Sequence, residues 1–343
     1  MRTAIIVGVA GTKLSRDEAV FFKETRPAGL ILFARNVESH DQIRALNDDV
    51  RSAIGTDEVL VLIDQEGGRV RRLRPPLGRE LPPASAYGHL YGQDHAAGKL
   101  AAFEAARLLA EDLRRLGINT DCAPVLDLPV PGAHDIIGDR AYGRSVEQVV
   151  ALAEAVADGF IAGGVLPVIK HIPGHGRATA DSHLSLPVVD EPRDVLMETD
   201  FAPFKALSRL PAAMTAHVVF SAIDPSAPAS ISPIVTHEII RGYIGFDGLL
   251  MSDDLTMKAL SGRMRSLAEA VIAAGSDVVL HCDGVLADMA DAASGAGELK
   301  GDALRRFDAA IAVTHQARPF DIASAEAQLA RVLTFAAGAA ESV

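Results

Sequence analysis

Short apolar runs recur along the chain at Ala4–Val9, Gly29–Phe33, Val59–Asp64, Asn119–Asp127, Val165–His171, Ala212–Val219, Gly248–Asp253 and Asp277–Cys282. Each is rich in Val, Ile and Leu and apolar on both alternations, the pattern of strands buried on both faces of a parallel sheet. The stretches between them read as helices. Ser15-Arg-Asp-Glu18, Ser39-His-Asp-Gln42 and Ser145-Val-Glu-Gln148 each fit a capping box, in which a Ser side chain and a Glu or Gln three residues on satisfy each other's backbone donors. His95–Leu116 is Ala/Leu-rich with i, i+3, i+4 apolar spacing, and Ser266–Ala274 repeats that pattern before Gly275, a helix-stop signal. Strand and helix alternating eight times predict a single (β/α)8 TIM barrel of the α/β class. A doubly wound sheet divided over two domains is the rival.

No linker interrupts the 343 residues. Pro75-Pro76 and Pro82-Pro83 bracket a polar loop after the third strand, and Ser221–Pro233 forms another after the sixth. The expected unit is residues 1–343 as one catalytic barrel, with extra Ala-rich helices over about 301–343 packed on its outside. The apolar run after Met1-Arg2 spans only about eight residues with no small-x-small cleavage site before Lys13, so it reads as a first strand rather than a secretion signal. No stretch reaches the ~18 apolar residues of a membrane helix. A cytoplasmic protein is expected.

Composition narrows the function. Apolar residues make up 49% and charged residues 23%, a globular balance with material for a large core. With 33 basic against 45 acidic residues the net charge is −12, which disfavours nucleic acid and anionic membranes as partners. Two cysteines, Cys122 and Cys282, exclude a disulfide framework or a Cys-rich metal cage and read as buried small hydrophobes. The absence of Trp argues against a long aromatic-paved cleft for a polymer.

A (β/α)8 barrel builds its active site at the C-terminal ends of its strands. The third strand ends Asp64-Gln-Glu-Gly-Gly-Arg69, and the fourth ends Asp127, with Gly138-Asp-Arg140 in its loop. The fifth runs Lys170-His171 into Pro-Gly-His-Gly, and the sixth ends near His217. The seventh ends Ser252-Asp253-Asp254 and the eighth His281-Cys-Asp283. Charge at six of eight ends predicts a polar pocket at that mouth, because buried charge is costly unless paired or used.

In Lys170-His-Ile-Pro-Gly-His-Gly176 followed by Asp181-Ser-His183, the two glycines around His175 allow a long, mobile loop. At its far end a carboxylate two residues from an imidazole can fix its tautomer and favour its protonated form, making His183 a general acid/base with Asp181 as partner. An ordinary Asx or ST turn is the plainer reading. Asp253 directly follows an apolar strand and can point into the mouth as nucleophile, electrostatic stabiliser or metal ligand. Asp254 points elsewhere by alternation. His217 reads equally as a pocket residue or a hydrogen-bonded structural one. His175 and Glu66 read as loop-ordering residues, Glu66 through backbone hydrogen bonds.

Taken together, Ile63-Asp64-Gln-Glu-Gly-Gly-Arg-Val70, Lys170–Gly176 with Asp181-Ser-His183, and Gly245-Phe-Asp-Gly-Leu-Leu-Met-Ser-Asp253-Asp-Leu-Thr-Met257 resemble glycoside hydrolase family 3 over about Gly29 to Cys282. The short chain is similar to the family's bacterial single-domain β-N-acetylglucosaminidases, cytoplasmic enzymes of cell-wall recycling. Ile172 stands where the family commonly has Phe, and Arg177-Ala-Thr-Ala180 fills its variable stretch. The resemblance implies Asp253 as the nucleophile of a retaining exo-β-N-acetylglucosaminidase and His183 with Asp181 as the acid/base dyad. It implies Asp64, Arg72, Arg140, Lys170 and His171 as binders of a terminal N-acetylglucosamine. The implied substrate is a small muropeptide fragment with GlcNAc β-1,4-linked to anhydro-N-acetylmuramic acid, and no metal or cofactor is implied. A reading from another class is a metal-dependent barrel hydrolase with His171, His175, His183 and Asp253 around Zn²⁺. Against it, a Gly-flanked loop is a poor rigid platform for ligands.

Overall fold

The structure, a computed structural model, describes residues 1–178 and 186–340, with side chains as far as Arg331. Eight parallel strands close into one barrel: β1 (Thr3–Gly8), β2 (Pro27–Leu32), β3 (Leu60–Ile63), β4 (Thr120–Asp121), β5 (Leu166–Ile172), β6 (Ala212–Thr215), β7 (Leu249–Asp254) and β8 (Val278–His281). Every neighbouring pair is consecutive in sequence, and β1 pairs with β8 to close the ring, for instance Val7 opposite His281. Closure rules out the doubly wound alternative. It also explains why these runs lack polar alternation: one face of each strand fills the barrel and the other is covered by helices. Ile5, Leu30, Leu62, Ile169, Leu250 and Val279 are all fully buried. The apolar run after Met1-Arg2 is the first barrel strand, as expected.

The predicted helix over His95–Leu116 is present as His95–Arg115, opened by an Asp94 cap that accepts from Ala96 and Ala97 N–H. The box at Ser15 forms completely, with Glu18 returning to the Ser15 N–H at 2.8 Å. The other two form by half. Ser39 and Ser145 accept from Gln42 and Gln148 N–H, but the Gln42 amide turns to Glu38 N–H and Thr12 O, and that of Gln148 reaches Gly88 O. A long amide side chain follows the better tertiary partner, which the local spacing does not reveal. The helices Gly301–Thr314 and Ile322–Ala340 lie outside the barrel, where Arg79 joins Glu326 to Asp112 of the helix His95–Arg115. Among the described residues no helix is long and apolar enough to cross a membrane.

Two small ladders at the strand ends escape the hydrophobic pattern. Gln65–Gly67 pairs antiparallel with Val70–Arg71, and Val188–Val189 runs parallel to Val219–Phe220. The first shapes the site. Gly67 and Gly68 both take positive φ, at 95° and 53°, and lie so close to Pro82 and Pro83 that a Cβ on either would fall 2.7 Å from them. Only glycine fits both constraints, and the turn sends the chain back so that Arg72 faces Asp64.

Candidate active site

A cavity of about 240 Å³ opens at the C-terminal ends of the strands. Asp64, Glu66, Arg69, Arg72, Arg140, Lys170, His171 and His175 make up a polar wall, and Asp253, Asp254, Phe33, Met214, Met257, Leu280 and Cys282 also line the cavity.

Lys170 organises the polar wall. It is 2% exposed at the end of β5, where burial alone would expel a charge. Two carboxylates hold it: Asp64 Oδ1 at 2.9 Å and Glu66 Oε1 at 2.7 Å. Each carboxylate has a second cation. Arg72 Nη2 donates to Asp64 Oδ2 at 2.8 Å, and Arg140 donates Nε and Nη2 to the two oxygens of Glu66 at 2.9 and 2.8 Å. The result is a continuous chain, Arg72–Asp64–Lys170–Glu66–Arg140. Burial pushes both carboxyls up, but the cations outweigh it: Asp64 is held below the carboxylate range by Lys170 and Arg72, and Glu66 falls to about 2 through Arg140 and Lys170. Burial likewise lowers Lys170, yet Asp64 and Glu66 raise it overall. The chain is thus fully ionised at neutral pH and presents forked donors and acceptors of both signs.

Backbone anchors keep it in place. The Gln65 side chain accepts from Arg72 N–H and Leu73 N–H and donates to Leu73 O, bracing the hairpin from within. Arg69 reaches across to the Asp139 carboxylate and to the carbonyls of Asp135, Ile136 and Ile137, tying down the segment that carries Arg140.

His171 is set by Asp127. One carboxylate oxygen meets His171 Nδ1 at 2.7 Å, and the other accepts the backbone N–H groups of His171 and His175 at 3.2 and 2.7 Å. Burial raises the Asp127 carboxyl, but His171 and His175 bring it below its ordinary value. His175 is buried, with its ring centroid 5.6 Å from that of His171; burial, then the neighbouring His171, lowers it to about 4. Gly176 packs against Leu128, whose carbonyl oxygen would lie 2.0 Å from a Cβ. That glycine therefore serves close packing.

The neighbouring aspartates on β7 differ. Both line the cavity, contrary to simple alternation. Asp254 is committed to the scaffold: its carboxylate accepts from Cys282 N–H and Thr256 N–H at 3.0 Å and from the Thr256 hydroxyl, and its carbonyl accepts from His217 Nε2. Asp253 takes one hydrogen bond among the described residues, from the N–H of Asp254 at 2.8 Å. Burial raises its carboxyl, but His217, His171 and Lys170 together keep it below the ordinary value, so it is an anion facing the cavity.

Of the nominated residues, the structure brings Asp64, Arg72, Arg140, Lys170, His171 and Asp253 to one cavity. Asp181 and His183 lie outside the described residues. Glu66 corrects the sequence reading: its carboxylate holds two cations rather than ordering backbone. The i, i+2 spacing from Asp64, which puts both on one face of an extended segment, was the available signal. Asp127 and Arg69 were missed as organisers. His217 is fully buried between Ser230 Oγ and Asp254 O, which decides for its structural role. Both cysteines are buried, as expected, and Cys282 also lines the cavity. Among the described residues no group of three or more His, Cys, Asp or Glu could hold a metal ion; His183 of the alternative ligand set lies outside them.

The family model "Glycosyl hydrolase family 3 N terminal domain" matches residues 4–311. A beta-hexosaminidase of Alkalilimnicola ehrlichii is 40% identical over 283 residues, covering 81% of this chain and 80% of that protein. Native NagZ from Neisseria gonorrhoeae superposes with a TM-score of 0.85 at 32% identity, over 97% of this chain and 98% of that one. The same enzyme in complex with N-trifluoroacetyl-D-glucosamine gives 0.83 at 32% identity over 98% of each. With its barrel, its ionised wall and this match along most of its length, the chain belongs to glycosyl hydrolase family 3, among the β-hexosaminidases.

Proposed function

We propose that the protein is a retaining exo-β-N-acetylglucosaminidase that removes single terminal GlcNAc residues from small muropeptide fragments, GlcNAc-β-1,4-anhydroMurNAc with or without peptide, in cytoplasmic cell-wall recycling. The observation that carries the reading is the pairing of an anionic Asp253 with the ionised chain Arg72–Asp64–Lys170–Glu66–Arg140 around one small cavity. Sugar hydroxyls are both donors and acceptors, and a rigid row of carboxylates, ammonium and guanidinium groups meets both needs. At about 240 Å³ the cavity is smaller than the roughly 300–1,000 Å³ common for drug-sized ligands, which suits one ring and exo action. The complex of the gonococcal relative with N-trifluoroacetyl-D-glucosamine supports an N-acylated glucosamine as that ring.

In this reading Asp253 attacks the anomeric carbon as the C1–O bond to the leaving sugar breaks, forming a glycosyl ester. His183, held in its imidazolium form by Asp181, gives its proton to the departing oxygen, and as the neutral base it then takes a proton from the water that opens the ester. A His–Asp dyad thus replaces the second carboxylate of the usual glycosidase pair. Both dyad residues enter through the motif match, with Asp64, Arg72, Arg140, Lys170 and His171 as sugar binders. Glu66 joins them as the counter-ion that orients Arg140 and Lys170.

A panel of 4-nitrophenyl β-glycosides of GlcNAc, GalNAc, glucose and xylose tests the assignment. The expected result is highest kcat/KM on the GlcNAc glycoside. Equal or better turnover of glucoside or xyloside would refute the N-acetylglucosamine specificity.

A further inference from the structure

Behind the ionised wall lies a carboxyl group that the mechanism does not use. Asp121 closes β4, fully buried between Ile63 of β3 and Pro167 of β5. Its Oδ1 accepts the Gln65 N–H at 3.0 Å, which is the backbone link between Asp64 and Glu66. Its Oδ2 is buried and has no hydrogen-bond partner among the described residues. The charged groups acting on it are Lys170 from β5 and Asp64 and Glu66 from the end of β3. The thiol of Cys122, the next residue in the chain, and the Tyr142 phenol also feel its charge, and burial pushes both well up, so both are neutral. Lys170, the cation that most favours its ionised form, is already engaged by two carboxylates. An ionised Asp121 would compete with Asp64 and Glu66 for Lys170 while one of its oxygens lacks a donor among the described residues, a costly arrangement.

Resting on the proposed sugar-binding role of the wall, we propose that Asp121 is a positioning residue which, as a neutral carboxylic acid, anchors the Asp64–Gln65–Glu66 turn and leaves Lys170 to the two cavity-facing carboxylates. Burial raises its carboxyl first, with Asp64 and Glu66 adding to the shift against the opposing Gln65 N–H and Lys170, to about 8. Loss of that proton draws Lys170 backward and repels Asp64 and Glu66, so sugar affinity falls on the alkaline side.

The test uses the full chain with Asp121→Asn and Asp121→Ala. Asn keeps the acceptor for Gln65 N–H and never ionises; Ala removes the acceptor. The readout is the inhibition constant of free N-acetylglucosamine from pH 6 to 9, which reports binding without the acid/base step. One group titrating near pH 8 weakens wild-type binding about tenfold between pH 7 and 9. Asp121→Asn should stay flat over that range, and Asp121→Ala should bind more weakly than Asp121→Asn already at pH 6. A second readout, Tm against pH, is independent of the sugar. The folded wild type keeps a proton that the unfolded chain releases above about pH 4, so its stability relative to Asp121→Asn should decline from there to about pH 8 and then level. Parallel affinity profiles for wild type and Asp121→Asn, or a Tm difference constant with pH, would overturn the proposal. Absence of any N-acetylglucosamine binding by wild type at pH 6 would instead count against the sugar assignment, and the Tm series would still decide whether Asp121 holds its proton.

Discussion

Glu66→Gln is the sharpest probe of the ionised wall, since it keeps the side chain's size and removes its charge. In the wild type three N–H donors converge on this carboxylate at 2.7–2.9 Å, two from Arg140 and one from Lys170. The side chains involved are at most 10% exposed. Removing one partner of a buried ion pair costs roughly 3–5 kcal/mol. Lys170 retains Asp64, so the orphaned charge is chiefly that of Arg140, and the lower end, about 3 kcal/mol, applies. The new amide can accept through one oxygen only, and its NH2 faces a guanidinium that also donates. Arg140 then either stays, and stability carries the loss, or swings to water, and the cavity loses a sugar contact. In the second case about 3 kcal/mol corresponds to roughly 100-fold in kcat/KM, at ~1.36 kcal/mol per tenfold. The assays are kcat/KM on the 4-nitrophenyl GlcNAc glycoside and Tm against pH. Glu66 has a depressed carboxyl, so its stabilisation is present above about pH 4.5 and is lost as pH falls through about 2. The Tm gap between wild type and variant should therefore close over that acid window. A variant with kcat/KM within about threefold and Tm within about 1 °C of wild type would refute the claim that Glu66 holds the wall together.

Asp253→Ala should lower kcat by several orders of magnitude while leaving the fold and N-acetylglucosamine affinity nearly intact; more than a tenth of wild-type kcat would remove it as nucleophile. Asp254→Ala should instead lower Tm, because Cys282 N–H and the Thr256 hydroxyl lose their acceptor. Asp181→Asn should shift the alkaline limb of kcat/KM to lower pH, since the His183 imidazolium loses a neighbouring anion. Asp181→Asn and His183→Ala should also slow single-turnover glycosylation by the natural disaccharide far more than by the nitrophenyl glycoside, whose leaving group needs little protonation; equal losses would remove the dyad from the mechanism. Chelator should leave turnover unchanged, and single GlcNAc units should be the first product; internal oligosaccharides released first would rule out exo action.

Most barrel strands were legible in the chain, because burial on both faces leaves continuous runs of branched apolar residues, whereas the fourth, expected over Asn119–Asp127, forms only at Thr120–Asp121. The charged strand ends were legible for the same reason: a titratable group closing such a run must be used or paired. Local spacing carried less about partners. Ser39 and Ser145 matched a motif whose second half went elsewhere once Thr12, Glu38 and Gly88 came into reach. Alternation assigned Asp253 and Asp254 to opposite sides, whereas the register shift between β7 and β8, falling between Met251 and Asp254, leaves both at the cavity. Glu66 is 74 residues from Arg140 and 104 from Lys170, and Asp127 is 44 from His171. Which carboxylate neutralises which cation is decided by barrel closure, since ion pairing acts over a few ångströms and leaves no periodic trace in the sequence. The sequence by itself determined which residues stand at the barrel mouth; the tertiary structure decided which are bound to one another and which, like Asp253, remain turned toward the cavity.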